Sequence, residues 1–327
     1  MSLPALVDRL RATLGVQHKL DIQPVRDLLK HVAPAAVPVG DDCAAIPDGE
    51  GFLLFAIEGM LPSFVEKEPW FAGYCAVMVN LSDITAMGGR PIAVVDAIWS
   101  RDAARAHPIW DGMTSAAAKY GVPIVGGHTN ARNAAGEYLA AAVLGKADRL
   151  LTSFDARPGD VLIAAIDLRG EWFGSYPYWN ASTTAPADRL RADLKVLPDI
   201  ATAQLSRAAK DISMGGIIGT AVMLAECSQI GVTIDLDLIP KPAQVPIEKW
   251  LTAFPSYGYL LTAKPDQADA ICSRFATREI AAAVIGSCND QHRCELTDRA
   301  GESAIFWDLS REAFIGFGNA LPETAAP

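Results

Sequence analysis

The sequence predicts a two-domain protein of mixed α/β structure. Its 327 residues exceed the usual length of one compact domain, and two cores of about 150 residues each are the natural division. Strand-like and helix-like segments alternate from Leu53 to Lys146 and again after position 160. Between them, the turn-forming run Arg157–Asp160 precedes a new buried strand. We therefore expect a boundary near Leu150, with domains at residues 1–150 and 151–327.

Each element of this alternation has its own signature. The opening MSLPALVDRLRATLG has the apolar spacing of an amphipathic helix. In the first domain, the strand-like segments are LLFAIE, PIAVVDAIW, VPIVGG and YLAAAVLGKA, and helices are expected from about Trp70 to Met87 and through TSAAAKY. In the second, the strand-like segments are VLIAAI, VTIDLDL, YGYLLTA and AAAVIG, and a helix is expected after Gly216.

Composition and charge exclude several classes of protein. Half of the residues are hydrophobic and a fifth are charged, which excludes wholesale disorder. The formal net charge of −10, without a cluster of Lys and Arg, argues against nucleic acid as a partner. An acidic protein can still bind a polyphosphate when divalent cations stand between its carboxylates and the phosphate oxygens. The charge therefore favours Mg²⁺ as an intermediary.

The cysteines and the apolar runs indicate a cytoplasmic protein outside the membrane. The six cysteines form no C-x-x-C pair, and no secretory leader precedes them, so we expect reduced thiols. No apolar run approaches the about 20 residues that a membrane-spanning helix needs. P-loop, dinucleotide-binding, nucleophile-elbow and H-E-x-x-H motifs are also missing from the sequence.

Acidic and polar residues interrupt apolar segments of the first domain. Asp41 and Asp42 follow Gly40, and neighbouring residues of an extended chain point to opposite sides, so at most one of the two should face a given site. A turn with two solvated aspartates is the alternative. Asn80 and Asp83 share one face of an apolar helix, where a buried carboxylate requires a cation or a metal. Polar residues that face solvent are the alternative there.

Two glycine-containing segments are compatible with phosphate binding. Gly126 and Gly127 end a buried strand and permit close approach of a ligand, and His128 follows as a metal or phosphate ligand or as an ordinary hydrogen-bonding residue. Asp211 and Ser213 precede two further glycines at the start of a helix. They would either cap the helix or belong to an anion-binding site at which Asp211 holds a cation.

Taken in order, five segments resemble the AIR synthase (PurM-like) superfamily, which includes aminoimidazole ribonucleotide synthetase, thiamine-monophosphate kinase and selenophosphate synthetase. The segments are GDDCAAI (40–46), NLSDITAMGGRP (80–91), VPIVGGHT (122–129), RPGD (157–160) and KDISMGG (210–216). The chain looks most like an AIR synthase-related branch. The resemblance implies a ferredoxin-like βαββαβ N-terminal domain that forms a dimer barrel with a second subunit, and a larger α/β C-terminal domain. It also implies ATP, Mg²⁺ and phosphoryl transfer to a small-molecule acceptor.

The resemblance carries specific roles to matching positions. It implies that Asp42, Asp83 and Asp211 bind metal. It further implies that Gly126, Gly127 and Ser213 approach the phosphates, and Asn80 and His128 join this nucleotide-binding set. Glu58 stands where thiamine-monophosphate kinases carry an aspartate, and we expect it to assist the metal.

Departures from the family pattern leave the reaction open. His128 and Met214 stand where thiamine-monophosphate kinases carry aspartates, which puts thiamine-phosphate kinase activity in doubt. No catalytic Cys-Lys arrangement occurs in a glycine-rich N-terminal segment, where Lys19 is the basic candidate, so selenophosphate synthesis has little support. The leading hypothesis is ATP-dependent phosphorylation of a small molecule; the alternative is a dimeric nucleotide-binding or scaffold protein without turnover. Ligand binding by the aromatic segment Trp172 to Trp179, independent of metal, is a third hypothesis.

Overall fold

The computed structural model describes residues 2–29, 37–132 and 134–318. Its α-helices are α1 (Leu3–Arg11), α2 (Leu14–Leu20), α3 (Gln23–Leu29), α4 (Pro62–Lys67), α5 (Pro69–Ala86), α6 (Ala103–Tyr120), α7 (Ala187–Asp193), α8 (Val196–Thr202), α9 (Gly216–Ser228), α10 (Ile247–Leu251) and α11 (Ala268–Ala276). Its strands are β1 (Ala44–Asp48), β2 (Gly51–Gly59), β3 (Arg90–Trp99), β4 (Ile124–Asn130), β5 (Tyr138–Ala147), β6 (Val161–Ile166), β7 (Glu171–Trp172), β8 (Trp179–Asn180), β9 (Ala208–Asp211), β10 (Gly231–Asp235), β11 (Gly258–Ala263), β12 (Ala281–Asn289), β13 (Arg293–Thr297) and β14 (Ser303–Asp308).

The chain forms two compact units. One contains residues 42–150 and 182–202, and we call it the five-stranded unit after its sheet. The other contains the chain up to residue 41, residues 151–181 and the chain from residue 203, and we call it the seven-stranded unit. Both units mix helices with a sheet, as the alternating sequence pattern predicts.

In the five-stranded unit the strand order is β1-β2-β5-β3-β4, and β3 and β4 are parallel while the other neighbours are antiparallel. Helix α5 packs on one face of this sheet, where Ile84 fills the space beside Gly145. The βαββαβ order that the resemblance implies is wrong in detail, because β3 is followed by α6 and then by β4. Two adjacent parallel strands require such a crossover.

The opposite face of this five-stranded sheet is apolar and open to solvent. Residues that pair directly on neighbouring strands have their side chains on the same face of the sheet. The side chains of Ile57 and Phe55, and those of the residues that pair with them, are on the face opposite α5. Large apolar side chains on this side remain exposed, including Ile57 at 68%, Phe55 at 46% and Tyr138 at 42%. We refer to this surface as the open sheet face.

The seven-stranded unit has the strand order β14-β13-β10-β12-β6-β11-β9, in which only the β10 and β13 pair is parallel. Helix α9 is buried along almost its whole length, consistent with its apolar sequence. The predicted N-terminal amphipathic helix is confirmed as α1, which contributes Leu3, Leu6 and Leu10 to the core of this unit.

The strand directions bring the ends of two strands, β6 and β9, close together at one end of the seven-stranded sheet. Strands β6 and β9 both pair antiparallel with β11, so they run in the same direction. Their last residues, Ile166 and Asp211, pair with the adjacent residues Gly258 and Tyr259. The carboxyl ends of β6 and β9 therefore lie on the two sides of the same end of β11.

Within the described ranges, no helix combines the length and the apolar character that crossing a bilayer requires. The cysteines form no disulfide among these residues.

Candidate metal and nucleotide site

Two of the predicted metal ligands, Asp42 and Asp83, lie side by side in the five-stranded unit. A carboxylate oxygen of one lies within 4.8 Å of a carboxylate oxygen of the other. Asp83 is buried in α5, with 6% of its surface exposed, and Asp42 is half-buried just before β1. Two carboxylates this close repel each other, and a divalent cation bound by both would offset that repulsion. The pair therefore fits a divalent cation, for which carboxylate oxygens are suitable ligands.

Helix α5 holds Asp83 and Asn80 inside the protein. Proline at Pro69 begins the helix, and Gly88, with φ of 76°, ends it as the sequence predicts. Asn80 is fully buried, and its Nδ2 donates to the carbonyl oxygens of Ala76 (2.8 Å) and Ala141 (3.1 Å). The alternative in which these polar side chains face solvent is therefore wrong. The Asn80 Oδ1 atom has no hydrogen-bond partner among the described residues, and it remains an available acceptor.

A row of residues crosses four strands on the side of the sheet that faces α5. Ala141 on β5 pairs with Glu58 on one side and with Asp96 on the other, and Asp96 pairs with Gly127. The Asn80 amide donates to Ala141, the central residue of this row. We refer to these four residues, Glu58, Ala141, Asp96 and Gly127, as the acidic row.

Asp96 is a candidate that the sequence analysis missed. Burial raises the pKa of its carboxyl group above the ordinary value. A signal was present, because Asp96 lies two residues from Val94 and from Ile98, which are both fully buried. An acid at an inward position of a strand pattern is hard to explain by packing alone.

The residues of the glycine segment on β4 lie on different faces of the sheet. Gly127 lies against Asp96, and a Cβ atom added there would stand 2.6 Å from Asp96 Oδ2. Gly126 borders open space. His128 pairs with Ala97 and lies on the open sheet face, where its ring centroid is 5.8 Å from that of Trp99. Within this unit His128 therefore points to the opposite side of the sheet from the acidic row.

The predicted residues of the KDISMGG segment lie in the seven-stranded unit. Asp211 is the last residue of β9 and is 5% exposed. The Ser213 N–H donates to Thr220 Oγ1 (3.2 Å), which ties the loop to α9. The Ser213 Oγ atom is buried and has no hydrogen-bond partner among the described residues.

Helix α2 packs directly on this loop. A Cβ atom at Gly15 would stand 2.0 Å from the Met214 carbonyl oxygen, so only glycine permits this approach. His18 Nδ1 lies 3.3 Å from Met214 Sδ. The side chain of Lys19 passes Gly215, with its Cγ atom 3.6 Å from the position of a Cβ atom there. Lys19, the basic candidate of the sequence analysis, thus lies at the start of α9.

Asp41 has a structural role in the same unit. Its carboxylate accepts hydrogen bonds from the Ser153 N–H (2.7 Å) and the Ser153 hydroxyl (2.6 Å). Lys210 Nζ lies 4.0 Å from the same carboxylate. The alternative of a turn with two solvated aspartates is therefore wrong for Asp41, whose side chain is buried.

Two domain families match most of the chain. The N-terminal domain of AIR synthase related proteins matches residues 40–147, and the C-terminal domain of the same proteins matches residues 157–299. The chain belongs to the AIR synthase related family. The superfamily that the sequence motifs predict is thereby confirmed.

Two relatives extend over nearly the whole of this AIR synthase related chain, and a third covers part of it. An uncharacterized protein of Synechocystis sp. is 46% identical over 96% of this chain and 98% of its own length. An uncharacterized protein of Methanocaldococcus jannaschii is 34% identical over 97% of this chain and 100% of its own. The thiamine-monophosphate kinase of Pyrococcus horikoshii is 28% identical over 63% of this chain and 69% of its own.

Solved structures share the fold. T. maritima PurL complexed with ADP superposes with a TM-score of 0.74 at 16% identity and covers 90% of this chain, which spans 51% of PurL. AaThiL complexed with AMPPCP and TMP has a TM-score of 0.65 at 18% identity and covers 90% of this chain and 100% of its own. The two-domain PurM-like α/β fold is therefore confirmed.

Proposed function

We propose that this AIR synthase related protein is an enzyme that uses ATP and Mg²⁺ to phosphorylate a small molecule or to activate it by phosphorylation. The observation that carries this proposal is the close pair of carboxylates, Asp42 and Asp83, held in the five-stranded unit. A kinase among the relatives, and solved structures of the same fold with ADP and with AMPPCP, support it.

In this proposal the metal ligands are acidic. Asp42 and Asp83 hold Mg²⁺, Asp211 is a third ligand by the family resemblance, and Glu58 assists from the acidic row. Bound Mg²⁺ would neutralise the negative charge that the phosphate oxygens carry during the transfer. Phosphoryl transfer needs mainly positioning and charge neutralisation, which rigidly held carboxylates and their cation provide.

The residues that we propose to bind the nucleotide lie in three environments. Gly127 lies against the Asp96 carboxylate on the side of the sheet that faces α5, and the Asn80 Oδ1 acceptor belongs to the same side. Gly126 and His128 lie on the open sheet face, so they would contact the nucleotide only near an interface with a second copy of the chain. The buried Ser213 hydroxyl at the start of α9 provides a donor for a phosphate oxygen.

We also propose that the protein is a cytoplasmic homodimer in which a second copy covers the open sheet face. Contiguous exposed apolar side chains are uncommon on a monomer surface and mark interaction sites. In a two-fold dimer the same apolar surface serves both subunits. Ile57→Lys should yield monomers in sedimentation experiments, whereas Leu238→Lys, at an exposed apolar residue of the other unit, should not. A wild-type protein that sediments as a monomer would contradict the dimer.

Calorimetry with ATP tests the enzyme proposal. We expect binding that requires Mg²⁺ in the wild type and is weakened at least tenfold in Asp83→Asn. Absence of ATP binding both with and without Mg²⁺ would remove the proposal. Binding without consumption of ATP across a panel of small-molecule acceptors would instead favour the nucleotide-binding or scaffold protein.

A further inference from the structure

Asp96 on β3 carries a carboxylate without a partner in the described part of the chain. The side chain is half-buried, and it makes no hydrogen bond or ion pair with another described residue. Burial raises its pKa, and no donor offsets this effect. The neighbouring inward positions of the strand hold Val94 and Ile98, which are apolar and fully buried. Packing therefore gives no reason for an acid at this position.

The carboxylate of Asp96 lies directly against Gly127 on β4. The three heavy atoms nearest to a Cβ atom placed at Gly127 all belong to Asp96, and the nearest is Oδ2 at 2.6 Å. A side chain at position 127 would displace the carboxylate, so Asp96 requires glycine there. Gly127 itself is exposed. A ligand group that contacts Gly127 from this side of the sheet would therefore also contact the Asp96 carboxylate.

The strands beside Asp96, and the helix packed on them, present no basic side chain to this face. Strand β3 lies between β4 and β5, and α5 packs on the same side of the sheet as Asp96. Helix α5 contains no Lys, Arg or His. The basic residues of the two strands, His128 and Lys146, belong to rows on the open sheet face. Arg90 is the first residue of β3, at the far end of the strand.

The titratable groups of α5 and of the acidic row are acidic or neutral. Glu58 belongs to the same row as Asp96, and Asp83 lies on α5. Tyr74 and Cys75 of α5 are buried, and burial raises the pKa of both, so they stay neutral at neutral pH. An ionised Asp96 beside a phosphate group would therefore meet repulsion, without a positive side chain of these elements to offset it.

We propose that Asp96 takes up a proton when the nucleotide binds, and that the protonated carboxyl group donates a hydrogen bond to a phosphate oxygen beside Gly127. This inference rests on the proposed function, because the phosphate belongs to the nucleotide of that proposal. A protonated carboxyl group has one O–H donor, so the proton both removes the repulsion and supplies a hydrogen bond. The proton comes from the solvent, and no other covalent bond forms or breaks. Because linked binding equilibria are reciprocal, the affinity for the nucleotide falls as the pH rises.

The test is calorimetry of ATP with Mg²⁺ at neutral pH in two buffers, PIPES and imidazole, that differ in their heat of ionisation. The difference between the heats observed in the two buffers gives the number of protons taken up. ATP exchanges protons of its own, so the wild type is compared with Asp96→Asn, which keeps the size of the side chain and a hydrogen-bond donor. We expect the wild type to take up about half a proton or more beyond the uptake of Asp96→Asn.

The pH dependence gives a second measurement of the same proton. Per unit of rising pH, the affinity of the wild type for ATP with Mg²⁺ should fall roughly threefold more than that of Asp96→Asn. Asp111→Asn, at an exposed acid of α6, should take up as many protons as the wild type. Gly127→Ala pushes the carboxyl group aside and should reduce the uptake although Asp96 is retained. It provides the test if Asp96→Asn does not fold.

The comparison of the wild type with Asp96→Asn decides the outcome. Equal proton uptake by the two proteins would overturn the inference. Loss of Mg²⁺-dependent ATP binding in Asp96→Asn, without a difference in proton uptake, would also overturn it and make Asp96 a metal ligand. If the wild type binds no ATP with or without Mg²⁺, the proposed function fails and the inference fails with it. ATP binding without the additional proton removes the inference alone.

Discussion

Replacement of Asp83 by asparagine should stabilise the metal-free protein and weaken its response to Mg²⁺. Asp83→Asn keeps the size of the buried side chain and removes one charge of the pair. Without a cation, the wild type carries the repulsion between Asp42 and Asp83, and the variant does not. With a cation, the wild type gains the attraction of two carboxylates, and the variant gains that of one. The same substitution therefore has opposite effects in the two conditions.

The distance between the carboxylates gives the magnitude. Two unit charges no more than 4.8 Å apart repel by at least about 3.5 kcal/mol at an effective dielectric constant of about 20. Asp42 is half-buried, so solvent and salt screen part of this repulsion and leave roughly 1–2 kcal/mol. We expect the free energy of unfolding of Asp83→Asn to exceed that of the wild type by this amount in the presence of a chelator.

Urea unfolding with a chelator and with Mg²⁺ measures both effects. Asp111→Asn is the control, because Asp111 is an exposed acid on α6 that is 3.5 Å from His107 and outside the pair. It should change neither the stability nor the response to Mg²⁺. A metal-free Asp83→Asn protein that is less stable than the wild type, with an unchanged response to Mg²⁺, would refute the reasoning and make Asp83 a structural residue.

Three further predictions concern other contacts. Burial raises the pKa of Asp96, so the ionised carboxylate lowers the stability of the protein at neutral pH. This loss disappears as the pH falls through the raised pKa. Urea unfolding across pH should therefore show that Asp96→Asn is more stable than the wild type at neutral pH and equally stable in acid. Gly15→Ala places a Cβ 2.0 Å from the Met214 carbonyl oxygen and should lower the melting temperature by several degrees, whereas Gly59→Ala, with open space around it, should not. Glu226→Gln removes a buried carboxylate that accepts from three consecutive backbone N–H groups, and calorimetric unfolding should show a loss of about 1–3 kcal/mol; an unchanged value would make those bonds energetically neutral.

Local sequence patterns predicted the elements that carry the carboxylate pair. Helix α5 is so apolar that Asn80 and Asp83 stand out, and their burial follows from the side chains around them. The end of the helix was predictable because Gly88 and the proline that follows act within one turn. The superfamily was predictable for the same reason, since each motif is a short contiguous segment with its own geometry.

The sequence did not reveal the acidic row, because the row depends on which strands are neighbours. Strands β2 and β5 pair directly although β3, α6 and β4 lie between them in the chain. No local periodicity encodes that pairing. The side on which His128 lies was predictable from the alternation of a strand, since adjacent residues such as Gly127 face opposite sides. The hairpin of the aromatic segment was not predicted, because its strands are two residues each.

The return of residues 182–202 to the five-stranded unit has a consequence for dissecting the protein. Arg191 donates to the carbonyl oxygens of Ala118 and Lys119 and so covers the last turn of α6, and the Ser182 hydroxyl contacts Met78 of α5. A fragment that stops at residue 150 would lose these partners and expose carbonyl groups and apolar surface. If a protease cuts the chain between residues 150 and 182, we therefore expect the product to stay folded only while the two pieces remain associated. We do not expect either piece to fold by itself.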